Sequence, residues 1–164
     1  MRLAHASLVA AAFMIGCHRE PAPTPDRPDP IPLRLGVRDL TARIPQDLAR
    51  EGPKAWLRHF RRSPSFFMAS DGRLLFPDNA TADSFVADLA TKIRTLDLQW
   101  KGIRLDSLAP GLALIATPFK ESITDTAGRI QRIEGYFTAV AERTDSGWQL
   151  RNAHWSLAAG TGQH

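Results

Sequence analysis

Apolar residues recur every three or four positions in two stretches of the chain, a spacing that places them on one face of a helix. The first stretch predicts a helix ending near Gly52, and it contains Val37, Leu40, Ile44 and Leu48. Pro45 lies inside this helix and either kinks it or begins it as a first-turn residue. A short second helix is expected over residues 53–60. The second stretch predicts a third helix reaching about Thr95, and it contains Phe85, Val86, Leu89, Ile93 and Leu96.

The helical spacing is interrupted by one hairpin signal and is lost after Leu96. Asp71–Gly72 favours a tight turn between two short strands, over residues 65–70 and 73–76. Beyond Leu96, turn-forming residues at 109–111, 125–128 and 145–147 divide the chain into four long strands. We expect these over residues 98–106, 112–124, 130–143 and 148–157. Long consecutive strands after helices predict an α+β fold, an antiparallel sheet covered on one face by about three N-terminal helices.

The first residues have the layout of an export signal. Arg2 supplies a positive charge, and residues 6–16 form an apolar run about half as long as a membrane span requires. The run ends in Met14-Ile15-Gly16-Cys17, which resembles the lipobox of bacterial lipoproteins. The alternative is an ordinary cleaved signal peptide with an incidental cysteine.

The lipobox resemblance implies that residues 1–16 are a signal peptide removed before Cys17, and that Cys17 is lipidated. Its acyl chains would anchor the protein to a membrane. By the same resemblance, His18 after the cysteine suggests the outer membrane, with the protein facing the periplasm. Residues 17–36 contain six of the chain's 12 prolines and predict an extended spacer. The folded domain is then expected over residues 37–164.

Composition narrows the possible chemistry. The chain has 164 residues, one cysteine, five scattered histidines and a formal net charge of +4. One cysteine excludes a disulfide within the chain, and the histidines form no metal-ligand motif, so neither a metal nor a cofactor is predicted. Acidic residues are interspersed with the basic ones, which argues against nucleic acid as a partner.

The order of the elements resembles the nuclear-transport-factor-like cone fold, in particular its SnoaL-like branch. The resemblance is carried by Gly-Tyr-Phe-Thr-Ala-Val at residues 135–140, by residues 147–156 with a Gly-Trp start and a His-x-Ser end, and by Asp71–Gly72. It implies a pocket between the sheet and the helices. Proteins of this fold include isomerases, cyclases, dehydratases and non-catalytic modules, so the fold does not determine the function.

Strand alternation assigns side chains to this implied pocket. Asn152 and His154 share a face with Trp148 on the last strand, and Glu134 shares a face with Tyr136 on the preceding one. By the resemblance, these faces point inward. The expected ligand pocket therefore consists of Trp56, Phe60, Phe85, Tyr136, Trp148, Asn152 and His154. Arg151 and Trp155 fall on the opposite face, where an exposed aromatic residue would favour a weak homodimer.

Two functions remain open. One is a ligand-binding or accessory module that takes a small hydrophobic ligand or a protein partner. The other is an isomerase or cyclase in which His154 or Glu134 transfers a proton and Tyr136 donates a hydrogen bond. The simpler interpretation of His154 is a hydrogen-bonded structural residue, and that of Glu134 is an exposed strand residue. Since no complete catalytic set can be matched, the sequence favours the binding module.

Overall fold

The structure, a computed structural model, describes residues 30–158 and the side chains of residues 33–158. The predicted signal peptide, Cys17 and most of the predicted spacer lie outside the described residues. The helices are α1 (Pro30–Glu51), α2 (Trp56–His59, preceded by a 3-10 turn over Gly52–Ala55) and α3 (Asn79–Lys92). The strands are β1 (Phe67–Ser70), β2 (Arg73–Phe76), β3 (Ile93–Trp100), β4 (Arg104–Ala109), β5 (Leu112–Asp125), β6 (Ile130–Thr144) and β7 (Gly147–Leu157).

The fold is α+β, with one mixed and mostly antiparallel sheet in the order β2-β1-β7-β6-β5-β3. β4 also pairs with β5, along the half of β5 that β3 does not occupy. The pairing of β1 with β7 is parallel, and the other strand pairs are antiparallel. We call the face of the sheet on which the helices pack the inner face. No helix of residues 30–158 is long and apolar enough to cross a bilayer.

The predicted apolar stripe of the first helix is confirmed. Val37, Leu40, Ile44 and Leu48 are all completely buried. The helix begins at Pro30, however, seven residues before the expected start of the domain, so the end of the predicted spacer is helical. Proline is tolerated in a first turn because the amide groups there have no partner within the helix. Pro45 lies inside α1 without ending it.

The hairpin also matches the sequence prediction, and a side-chain cap begins the helix that follows it. Asp71 and Gly72 have φ angles of 47° and 78°, the left-handed values that a tight hairpin turn requires at both central residues. The Asp78 carboxylate accepts a hydrogen bond from the backbone N–H of Thr81 at 2.7 Å and thereby caps α3. The helix ends at Lys92, earlier than predicted, because Ile93 already pairs with Asp125 on β5.

The expected strand over residues 98–106 is wrong. The structure has two strands, β3 and β4, separated at residues 101–103, where Gly102 has a φ of 81°. Both strands pair with β5, which is long enough to hold them end to end. The helical spacing of Ile93 and Leu96 concealed the start of β3. Residues three apart normally lie on opposite faces of a strand, but a bulge between Ile93 and Thr95 puts these two on the same face.

A β-bulge reverses the predicted faces of the last strand. Val140 pairs with Asn152 while Ala141 pairs with Leu150, so Arg151 is an extra residue on β7. Trp148 and Leu150 point inward before the bulge, and Ala153 and Trp155 point inward after it. The inward placements predicted for Asn152 and His154 are therefore wrong, and so is the outward placement of Trp155.

The expected homodimer rested on an outward Trp155, and this basis for it is lost. The indole of Trp155 instead packs inside the domain against the Phe119 and Phe137 rings, with centroids 4.7 and 4.5 Å away. The bulge is the physical reason, because one extra residue in a strand shifts every later side chain to the other face.

Candidate functional site

A cavity of about 290 Å³ lies between α3, the β1–β2 hairpin and the inner face of the sheet. Its walls come from eight elements or their ends, and almost all of the side chains in them are apolar. The lining residues are Trp56, Phe60, Met68, Ser70, Leu75, Phe76, Phe85, Val86, Leu89, Leu96, Phe119, Glu121, Ile123, Ile133, Trp155 and Leu157. A concave and mainly apolar site with very few polar groups is the usual form of a small-molecule site.

Six aromatic rings of this lining form a continuous series, which we call the aromatic belt. It runs Phe85, Phe76, Phe60, Trp56, Trp155, Phe119. Successive ring centroids are 5.1, 6.4, 5.8, 5.7 and 4.7 Å apart. Such separations are typical of favourable aromatic pairs, so the rings support one another in their positions around the cavity.

Among the described residues that line the cavity, Glu121 has the only ionisable side chain. It lies on β5 two residues after Phe119, so strand alternation directs both side chains to the inner face. Its direct partners on the neighbouring strands are Leu98 on β3 and Ile133 on β6. Its carboxyl group is therefore held among hydrocarbon side chains.

Burial raises the pKa of the Glu121 carboxyl from its ordinary value of 4.5 to about 7. The cause is the loss of water around the charged form, which the surroundings of Glu121 do not replace. Near neutral pH the group is present in both forms, so it can donate a hydrogen bond, accept one or hold a negative charge. A titratable group perturbed in this way inside a cavity is typical of functional sites.

Sequence reasoning missed Glu121. The available signal was the two-residue period of β5, which groups Glu121 with Ile115, Thr117, Phe119 and Ile123. The adjacent Lys120 made this end of the strand look like a solvent-exposed charged segment. Glu121 was not considered as a site residue because glutamate is rarely buried without a partner.

Of the seven pocket residues expected from the sequence, three line the cavity: Trp56, Phe60 and Phe85. Trp148 faces inward but lies elsewhere, where its indole packs closely against Gly36 of α1. The helical residues were located correctly because their spacing defines one face. For the two C-terminal strands the bounds were predicted closely, but several of their side chains were assigned to the wrong faces.

The outer face of the sheet carries the three polar residues of the expected pocket, Tyr136, Asn152 and His154, together with the proton-transfer candidate Glu134. Tyr136 is 44% exposed and pairs with Ser156, and His154 is exposed and pairs with Thr138. Glu134 lies 3.2 Å from the Lys120 ammonium nitrogen, and the Asn152 side chain donates to the carbonyl oxygen of Ser65. The pocket in its expected form is therefore not present. The hypothetical role of His154 or Glu134 as a proton-transfer group loses its geometric basis.

A buried ionisable pair, separate from the cavity, joins α1 to α2. The Nε2 atom of His59 lies 3.1 Å from Oδ2 of Asp47, within ion-pair distance but without the alignment of a hydrogen bond. Burial lowers the pKa of His59, and the nearby Asp47 carboxylate opposes this shift only in part. Arg50 also donates to Asp47 at 2.6 Å. None of these side chains lines the cavity, so we regard the pair as a brace between helices.

No cluster of three histidine, cysteine, aspartate or glutamate side chains within residues 33–158 is suited to holding a metal ion.

Comparison with known proteins identifies the fold. No family model matches the sequence, and none of the curated proteins matches it. The structure is similar to that of a proposed scytalone dehydratase from Novosphingobium aromaticivorans, with a TM-score of 0.70 and 11% identity over 82% of this chain and 89% of that one.

Two further structures agree with this assignment. A nuclear transport factor 2-like superfamily protein from Salmonella enterica gives a TM-score of 0.67 and 13% identity, over 83% of this chain and 99% of that one. An NTF-2 like protein of unknown function from Shewanella oneidensis gives a TM-score of 0.57 and 15% identity, over 76% of this chain and 98% of that one. At such low identities the likeness shows the fold alone. The chain has a nuclear-transport-factor-2-like α+β fold.

Proposed function

We propose that this nuclear-transport-factor-2-like domain is a binding module for a compact and largely apolar ligand, displayed at the cell envelope by a lipid anchor on Cys17. The observation that carries the binding function is the cavity of about 290 Å³, whose lining contains one ionisable group and one hydroxyl group, those of Glu121 and Ser70. The free energy decreases when a ligand removes the apolar side chains of a concave site from water, and this favours binding.

Exposed apolar residues at the cavity support the same function. Leu75, Phe85 and Leu157 line the cavity but remain 37%, 42% and 38% exposed. Large apolar side chains grouped at one place on a surface are typical of binding sites. A ligand that enters between them would cover them.

Isothermal titration calorimetry with neopentylbenzene, a compact neutral hydrocarbon, tests the binding function. The protein is the full chain carrying Cys17→Ser, produced without lipidation. We expect binding that is abolished by Leu89→Trp, since the larger ring fills the cavity from α3. Leu108→Trp is the matched control, because Leu108 is 54% exposed on β4 and does not line the cavity. Equal binding by both variants would contradict the proposal.

The anchor has its own test. The lipobox-like ending before Cys17 and the proline-rich stretch after it support an envelope location. We expect the wild-type protein to incorporate labelled palmitate and to sediment with membranes, and the Cys17→Ser variant to do neither. A variant that still sediments and still takes up label would rule out the anchor without affecting the cavity.

One observation favours a second function, acid–base catalysis. The Glu121 carboxyl has a pKa of about 7 in a largely apolar cavity, and a general base works best when its pKa lies near the working pH. Such an enzyme would remove a proton next to the carbonyl group of a bound substrate. The test is deuterium exchange into cyclohexanone in D₂O, followed by NMR. Exchange that disappears in Glu121→Gln would support catalysis. If the protein with Glu121 exchanges the substrate no faster than buffer does, catalysis is ruled out and only the binding function remains.

A further inference from the structure

The cavity contains a carboxyl group without a counter-charge. The Glu121 side chain makes no hydrogen bond or ion pair with any residue of the described chain 33–158. The residues nearest to it in the sheet are apolar: Phe119 and Ile123 on its own strand, Leu98 on β3 and Ile133 on β6. In such surroundings the ionised form of a half-buried carboxyl group is disfavoured, and a positive group beside it would stabilise that form.

The charged groups around this part of the sheet point elsewhere or are already paired. By strand alternation, the outer face receives the side chains of Asp97, Lys120, Arg132 and Glu134. Asp125, on the same side of β5 as Glu121, is held by Arg129 at 2.6 Å.

The remaining walls of the cavity add no charge. The residues that α3 contributes to the lining are Phe85, Val86 and Leu89. The Asp88 and Lys92 side chains of that helix pair with each other at its exposed side, 2.6 Å apart. β1 contributes the Ser70 hydroxyl, and β7 contributes Trp155 and Leu157. Within residues 33–158, therefore, no positive group is placed to pair with this carboxylate, and a bound ligand is the source that the cavity itself offers.

The aromatic belt indicates which kind of positive charge fits. The π-faces of aromatic rings are negatively polarised and attract organic cations, most strongly where water is excluded. Two tryptophans and four phenylalanines surround this cavity, and the belt ends at Phe119, two residues from Glu121. We propose that the ligand is a compact organic ammonium ion whose hydrocarbon part lies within the aromatic belt and whose charge pairs with Glu121. This inference rests on the binding function proposed above and assigns the ligand class to it.

Two probes of nearly the same shape test the role of charge. Benzyltrimethylammonium carries a permanent positive charge, and neopentylbenzene has a carbon atom in place of the nitrogen. With the full chain carrying Cys17→Ser, calorimetry at pH 8.5 should show tighter binding of the ammonium probe. At pH 5.5 its affinity should fall about thirtyfold, since only about 3% of a group with a pKa near 7 is ionised there. The affinity for neopentylbenzene should not fall with pH in this way.

The Glu121→Gln variant separates the carboxylate from the rest of the cavity. It keeps the size of the side chain and removes the charge, so we expect it to bind the two probes about equally at both pH values. Should this variant fail to fold, the contrast between the two probes in the protein with Glu121 still decides the question.

The outcomes distinguish the ligand class from the binding function. Tighter binding of neopentylbenzene at pH 8.5, or a pH dependence that persists unchanged in Glu121→Gln, would overturn the ammonium assignment and leave the apolar binding module standing. If neither probe binds at either pH, both proposals fail together.

Discussion

The indole N–H of Trp100 donates a hydrogen bond to the backbone carbonyl oxygen of Thr41, with an N···O distance of 2.9 Å. Pro45 follows Thr41 by four residues and has no N–H, so the helix itself cannot provide a donor for that carbonyl. A side chain from β3 replaces the missing donor. This relationship explains how α1 continues through a proline, and it ties the helix to the sheet.

Trp100→Phe should therefore destabilise the domain by an amount that depends on Pro45. Leaving the buried carbonyl without a donor costs about 1–3 kcal/mol in addition to any loss of packing. In a Pro45→Ala background the backbone N–H at position 45 becomes the donor, so that part of the loss should disappear. Urea unfolding of the four proteins of this double-mutant cycle measures the difference. An identical loss in both backgrounds would mean that the hydrogen bond contributes nothing.

The bulge at Arg151 gives opposite roles to two adjacent residues. Trp155 packs edge to face on Phe119, while His154 is exposed on the outer face. Trp155→Ala should lower the free energy of unfolding by about 3 kcal/mol, because it leaves a large gap at the cavity wall. His154→Ala should change it by less than about 0.5 kcal/mol. Thermal or urea unfolding of the two variants tests this arrangement. A strand without the bulge would place His154 inside and Trp155 outside, so His154→Ala would then cause the larger loss of stability.

Local patterns were sufficient to predict most of the elements. The spacing of Val37, Leu40, Ile44 and Leu48 located the buried side of α1, and Asp71–Gly72 located the hairpin. The three later turns also fall where their residues placed them. These features depend on interactions between residues close together in the chain, and such interactions leave a local signal.

The site residues could not be predicted from local patterns, because their positions depend on contacts between distant parts of the chain. A bulge is defined by two strands together, so nothing within β7 shows that Arg151 is the extra residue. The inward facing of Tyr136 and Glu134 on β6 was inferred from the family resemblance, and the structure has both side chains on the outer face. Glu121 became visible as a site residue only once β3, β6 and α3 were seen to surround it with apolar side chains.

The raised pKa of Glu121 predicts a specific dependence of stability on pH. In the folded state the carboxyl loses its proton near pH 7, and in the unfolded state near its ordinary 4.5. Between these values the folded chain binds more protons, so the free energy of unfolding contributed by this group decreases as the pH rises. Its stabilising effect is complete below pH 4.5 and is lost as the pH passes 7.

Glu121→Gln removes this dependence. From pH 4.5 to pH 8 the variant should gain stability relative to the wild type, by about 3 kcal/mol. The difference between the two proteins is the quantity to follow, because His59 and the other titrating groups contribute equally to both. Urea unfolding across this pH range provides it. Parallel curves for the two proteins would show that Glu121 is solvated in the folded state.

The central claim is that an apolar cavity holds the carboxyl group of Glu121, and an NMR titration of its side-chain carboxyl carbon tests this most directly. Labelling with ¹³C and comparison with Glu121→Gln assign the signal. A midpoint near pH 7 is the predicted result. A midpoint near 4.5, the value of an ordinary glutamate, would show that water reaches the carboxyl group, and it would contradict the account of the site.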